Sequence, residues 1–422
     1  MTLLWAVLAG IGFFALIMAS IALHEVGHLV PAKIFGVRVP KYFVGFWKTL
    51  WSTRRGETEY GIKLLPLGGY VRLMGMYPPT TTGRTGRLAE LADGAREAEW
   101  SDITATDVAT NRLFYQKKTW QKLIIMAGGP AMNILLAFLI FLGINLAYGQ
   151  PQQTLTVASV TQCLEPAPAA CVTPPAKQAG VQVGDTILAL NGTRVSTWRD
   201  LVVIVRAQGE GGLTFTVDRP GQGQVTLPTV HGVLRQLPDL DDPSKTVTAG
   251  FAGMSSSTEV VHVGPVGTAQ QMWTMTTQSV KALASFPVKV FTTAYDLVTG
   301  KPRDVNGPLS VIGASVAASE LATTDQLTLS SRIASYFSLL GGVNLFVAIL
   351  NLVPLLPFDG GHIAGALWEA LRRGWAKLFR RPDPGFVDTA RLLPVAYVVG
   401  AFLMIAGAVL VIADIISPIR IF

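Results

Sequence analysis

Charge is scarce in this chain. Of 422 residues only 14% are Asp, Glu, Lys or Arg, while 50% are hydrophobic, too few charges to clothe a soluble fold of that size, so the composition bounds a polytopic membrane protein with room for one or two soluble modules. Two cysteines exclude a disulfide scaffold. No charged side chain occurs between Leu3 and Leu23, a run that spans about 31 Å as a helix, the thickness of a bilayer's hydrocarbon layer. Met1 and Thr2 provide no basic leader and no small-residue cleavage site precedes His24, so the run is expected to stay as a helix rather than be removed.

Three further stretches are long and apolar enough to span, Leu123 to Ala147, Ile333 to Leu356 and Leu392 to Ile416. The net charge of +7 is distributed by these spans rather than gathered for nucleic acid. Val30 to Lys122 holds 15 basic residues and Gly360 to Arg391 six, whereas Gln150 to Ser330 holds 11 against 13 acidic ones. The positive-inside rule then predicts both basic segments in the cytoplasm and the long middle segment outside. Cys163 and Cys171 lie in that middle segment, where an oxidising exterior would permit a small-loop disulfide; two free thiols are the alternative.

The first span ends in ALHEVGHLVP, Ala22 to Pro31. His24 and His28, four apart, share one face of a helix and can share a metal, with Glu25 beside them as a general base, the H-E-x-x-H arrangement of a zinc hydrolase. Ionisable residues at such a depth point to function. The third span ends in NLVPLLPFDGGHI, Asn351 to Ile363, where Pro354 and Pro357 should break the helix and leave Asp359 at the same end as the histidines. Two histidines and a carboxylate leave an open zinc position for water. His362 could reach a metal too, though a supporting or packing role fits it better.

Between these, Arg38 to Phe46 and Glu59 to Val71 are β-prone and separated by WSTRRGET, predicting a hairpin dipping into the membrane where protein shields its backbone. Met74 to Asn111, rich in Pro, Gly, Thr and charge, reads as a flexible loop. The second span opens with AGGPAMN, in which Gly128 and Gly129 let another helix approach and Asn133 brings an amide into the apolar layer. Further on, AKQAGVQVGDTILALNGTRV, Ala176 to Val195, resembles a PDZ signature, carried by Gly180, Gly184, Asp185, Asn191 and Gly192. His231 and His262 lack ligand spacing, and Gly267 to Phe286 suits a helix lying on the outer membrane surface.

HEVGH, GGPAMN, one PDZ domain and NLVPLLPFDGG together resemble the site-2 protease family of intramembrane metalloproteases, and Tyr42 to Tyr70 is similar to its actinobacterial branch. The resemblance implies one zinc per chain held by His24, His28 and Asp359, Glu25 as catalytic base, and Asn351 near the scissile peptide, with Asn133 and Asn344 as further substrate-positioning candidates. It implies single-pass membrane substrates such as anti-sigma factors, cut first outside by a site-1 type protease, and a cell-membrane enzyme, whose active site the positive-inside assignment puts toward the cytoplasm. The expected architecture is a polytopic α-helical membrane protein of about four transmembrane helices, with a membrane-associated β-hairpin and one extracytoplasmic α+β PDZ domain. Its parts are an N-terminal membrane core (1–150), the PDZ domain (155–230), a linker with an amphipathic surface helix (231–330) and a C-terminal core (331–422). A membrane-tethered PDZ scaffold with a structural zinc is the alternative, against which Glu25 speaks, since a structural site needs no base. A metal transporter is a third reading, unsupported by any inverted repeat.

Overall fold

The computed structural model describes residues 2–79, 87–164, 171–240 and 246–419. They form two compact units, one of Met1–Ala147 with Gly264–Phe422 and one of Tyr148–Val263.

The first unit begins with α1 (Thr2–Ile34), one unbroken helix that carries the HEVGH motif past the charge-free run and through Pro31. The chain then forms β1 (Lys41–Arg55) and β2 (Thr58–Arg72). These strands run further than the expected hairpin, because each bends and folds back. Trp47 takes a positive φ of 74°, and Tyr42 pairs with Tyr60 on one side and Val71 on the other. Residues 41–44 therefore lie between 59–62 and 69–72, and 69–72 is an edge. Helices α2 (Arg87–Trp100) and α3 (Ala105–Ala109) follow where a flexible loop was expected; residues 80–86 of that stretch lie outside the described residues. Long-range partners order it: Arg96 pairs with Asp388 at 2.9 Å, and Glu99 accepts from the Met76 and Tyr77 amides. Helix α4 (Thr119–Ala147) completes this half.

The second unit holds β3 (Gln150–Val160), α5 (Pro175–Gln178), β4 (Thr186–Leu190), β5 (Thr193–Arg194), α6 (Trp198–Gln208), β6 (Gly212–Leu213), β7 (Phe215–Arg219), β8 (Gly223–Thr226), β9 (Val230–His231), β10 (Val233–Pro238), β11 (Thr246–Phe251) and β12 (Met254–Val261). Its main sheet has the order β12-β3-β4-β7-β8. Because β12 pairs with β3, the segment after residue 230 belongs to this unit as far as Val263 rather than starting a linker. A core of Ile187, Leu190, Leu201, Leu213, Phe215 and Val217, each no more than 1% exposed, joins α6 to the sheet. Gly180, Gly184, Asn191 and Gly192 all take positive φ, between 51° and 92°, and so make the turns. Asn191 also bridges strands, donating to the Gly212 carbonyl at 2.8 Å and accepting from the Thr214 amide at 2.7 Å. Asp185 is buried and accepts from Arg219 at 2.7 and 2.8 Å. Cys163 and Cys171 form a disulfide.

The first unit resumes with α7 (Pro265–Thr299), longer than its expected extent, then α8 (Val311–Thr323), α9 (Leu329–Asn351), α10 (Asp359–Leu378) and α11 (Leu393–Ile416). Four helical segments, Leu3–Ile34, Thr119–Ala147, Leu329–Asn351 and Thr389–Ile416, are long and apolar enough to cross a membrane. Helix α1 packs against α4 and α8, and α4 against α9 and α10. Two buried ion pairs tie the later elements down. Lys122 of α4 meets Glu369 of α10 at 3.0 Å, both 3% exposed, and Arg303 meets Asp414 of α11 at 2.5 Å. Asp414 also accepts from the Ser310 amide at 2.7 Å, so the stretch NGPLS, residues 306–310, anchors the start of α8.

Candidate active site

Helical spacing sets His24 and His28 on one face of α1, with ring centroids 4.9 Å apart. His28 Nδ1 lies 2.8 Å from the Ile125 carbonyl of α4, which fixes Nδ1 as the protonated nitrogen and leaves the Nε2 lone pair free to point at the cavity. Across from them, α9 stops at Asn351 and the chain turns through Pro354 and Pro357 before Asp359 opens α10, the break expected from the prolines. Gly360 and Gly361 allow it: a Cβ on Gly361 would stand 2.7 Å from the Leu356 amide, and one on Gly360 would strike the Val353 carbonyl.

The three donors converge. Nε2 of His24 and of His28 are 3.3 Å apart, and Asp359 Oδ2 lies 3.5 and 3.2 Å from them. Zinc–ligand bonds of about 2.0–2.1 Å in a tetrahedron place ligand atoms ~3.3–3.4 Å apart, so this triangle has the size of one face of a zinc tetrahedron. Asp359 Oδ2 has no hydrogen-bond donor among the described residues. The residues would fit a zinc ion, and all three line the cavity.

That cavity measures about 400 Å³ and is lined by Glu25, Gly69, Val71, Asn351, Asp359 and His362 among others. One wall is the edge stretch 69–72, where the Val71 backbone faces the Glu25 carboxylate and a Cβ on Gly69 would come within 3.1 Å of Glu25 Cγ. Tyr42 holds the sheet there by donating to the Ala22 carbonyl at 2.8 Å, two residues before His24. The site therefore sets a hydrolytic donor set, a carboxylate and an open strand edge around one chamber.

Of the three asparagines, only Asn351 lines this chamber. Asn133 is 2% exposed in α4, and its Oδ1 has no donor. Asn344 is 1% exposed and donates to Ser20 Oγ at 3.1 Å, tying α9 to α1 one turn before His24. Sequence reasoning missed Tyr42, Ser20 and the Lys122–Glu369 pair. A buried charge near a span end, Lys122, was the available signal for the last of these.

Helices fit to cross a membrane around such a chamber define a membrane-embedded metallohydrolase. Comparison with known proteins agrees: the model of peptidase family M50 matches residues 12–379. Zinc metalloprotease Rip1 of Mycobacterium tuberculosis is 33% identical over 442 aligned residues, covering 98% of both chains. Metalloprotease MmpA of Caulobacter vibrioides is 26% identical with 84% of each covered, and the regulator of sigma-W protease RasP of Bacillus subtilis is 25% identical, covering 89% of this chain and 93% of that one. The chain belongs to peptidase family M50, the site-2 proteases, and is a multi-pass intramembrane zinc metalloprotease similar to Rip1.

Proposed function

We propose that His24, His28 and Asp359 hold the zinc, that Glu25 is the catalytic base, and that the chain cleaves the membrane-spanning segments of single-pass proteins such as anti-sigma factors. The observation that carries this reading is the donor triangle, 3.2–3.5 Å on its edges, opening onto a chamber shared with Glu25. When bound, zinc acidifies a water and polarises the peptide carbonyl. Glu25 takes the water's proton and returns it to the leaving amine. His28 is kept in its ligating tautomer by the Ile125 carbonyl.

A transmembrane helix offers no free carbonyl until some of its hydrogen bonds open. The edge at 69–72 can receive the opened segment as an added strand, replacing lost helical bonds, and Asn351, across the chamber, can hold it there.

The unit Tyr148–Val263 acts in this reading as an extracytoplasmic PDZ domain that selects substrates already trimmed by an outer, site-1 type protease. A groove of about 190 Å³ runs between α6 and the Phe251–Met254 turn leading into β12, and among the described residues β12 has a partner on one side only; both suit capture of a new chain end. The name of the Bacillus relative, regulator of sigma-W protease, supports sigma-factor control as the setting, and the basic segments 30–122 and 360–391 support a cytoplasmic active site. The test is cleavage of a model transmembrane peptide by purified protein carrying one zinc per chain. Protein that holds zinc and leaves every such peptide intact would sink the proposal.

A further inference from the structure

Helix α10 has two unlike sides. Glu369, Ala366 and Ala376 are buried, with Glu369 locked to Lys122. On the other side Trp368, Leu371, Trp375 and Leu378 are 57–74% exposed, at spacings that set them in one stripe. After Leu378 the chain reverses at Arg380, φ 51°, and runs back along the helix: the Arg381 amide donates to the Ala376 carbonyl at 2.7 Å, and Arg372 donates to the Pro384 carbonyl at 3.0 Å. Between the helix and the returning chain lies a cleft of about 570 Å³, lined by Trp368, Leu371, Trp375, Arg372, Arg381 and prolines, with no carboxylate.

The charges there are uneven. Arg373 is ion-paired with Glu369 and Asp383, whereas the side chains of Lys377, Arg380 and Arg381 meet no acidic group among the described residues. The depth is set as well, because Trp368 adjoins Glu369, which touches Lys122 at the start of the membrane-crossing α4. An aromatic and apolar stripe bordered by uncompensated guanidinium groups, level with a membrane helix's end, matches a lipid whose chains are apolar and whose headgroup is anionic.

We propose that this cleft binds an anionic phospholipid of the surrounding bilayer, its phosphate at Arg372 and Arg381 and its acyl chain along Trp368, Leu371 and Trp375. A soluble phosphate would use the arginines and leave the stripe bare; a zwitterionic lipid would use the stripe and little of the charge. The site lies on the side of α10 away from Lys122, and its occupancy is measurable without proteolysis.

The test places the full-length protein in bilayer discs of phosphatidylcholine, doped with brominated phosphatidylglycerol or, separately, brominated phosphatidylcholine, and follows tryptophan quenching. The quenching that disappears in Trp368→Phe/Trp375→Phe reports the cleft. It should favour phosphatidylglycerol by about fivefold per arginine at low salt. Arg372→Gln/Arg381→Gln should bring the two lipids level with zinc content unchanged, while Arg372→Lys/Arg381→Lys keeps part of the preference. Equal quenching by both lipids in the parent protein, no quenching at these two tryptophans, loss of the preference on adding inorganic phosphate at constant ionic strength, or a preference that survives the glutamine variant would each overturn the site.

Discussion

A methyl group on Gly129 would overlap His28 Nε2 and stand 2.7 Å from His24 Nε2. The second span is therefore built to bring bare backbone up to the two donor nitrogens. Gly128 meets Gly27 of α1 in the same way, backbone against backbone, so the two helices touch with no side chain between them.

Gly129→Ala should consequently lower zinc affinity about tenfold to a hundredfold, the range seen when a ligand's support is disturbed. Gly143→Ala, on the same helix with nothing within 4 Å of its added carbon, is the control and should keep full zinc. Metal analysis of the two purified proteins decides; equal zinc in both would show that the donors do not need the bare backbone.

Glu25→Gln keeps the shape of the proposed base and removes its proton chemistry. It should hold about the parent's zinc while cleavage falls ~10²–10⁴-fold. His24→Ala and Asp359→Ala should lose the metal itself. Near-parental turnover by Glu25→Gln would mean that another group takes the proton.

Glu369→Gln leaves Lys122 buried without a counter-charge, which costs about 3–5 kcal/mol. The thermal unfolding midpoint in detergent should drop, and Lys122→Met/Glu369→Leu should recover most of the loss. If the single variant melts with the parent, the pair contributes no net stability.

Val71→Pro removes the backbone donor that faces Glu25 from the edge stretch. Cleavage of a stable helical substrate should fall further than cleavage of one carrying Gly or Pro near the cut, with zinc unchanged. An identical loss for both substrates would argue against strand addition as the unwinding step.

In the second unit, burial opposes the charge on Asp185, but hydrogen bonds from Arg219 and the Gln182 amide and the Arg219 charge outweigh it and hold its carboxyl below the ordinary 3.8. The stabilisation is complete above the unfolded value and is lost as pH falls through the lower folded one. Acid unfolding of the parent should therefore steepen below pH ~4, and Asp185→Asn should remove that limb while lowering stability at neutral pH.

The metal chemistry was legible because its signals are local. The spacing of His24 and His28, the absence of charge before them, and Pro357 with Asp359 each act within a turn or two of chain. The β segments were legible in kind, but their ends were not: the polar stretch WSTRRGET looks like a connection, yet 49–55 pairs with 58–63 beyond the bend at Trp47. Helices α2 and α3 were missed because distant partners order them: Asp388 lies 292 residues from Arg96 of α2, and Arg38 lies 69 from Asp107 of α3. Asn133 and Asn344 illustrate the same limit. A buried amide in a span signals that something polar is near, and only the fold tells whether that is the chamber or, for Asn344, Ser20.

Asp359 opens the helix that completes the donor triangle, and everything between His28 and Asp359 must be made first. At about 5–20 residues per second, synthesis of that interval takes roughly 15–70 s, during which His24, Glu25 and His28 stand on the apolar helix α1 without Asp359. A nascent chain halted before α10 should therefore carry no firmly held zinc, so in the function proposed above the ability to cut arrives late in synthesis.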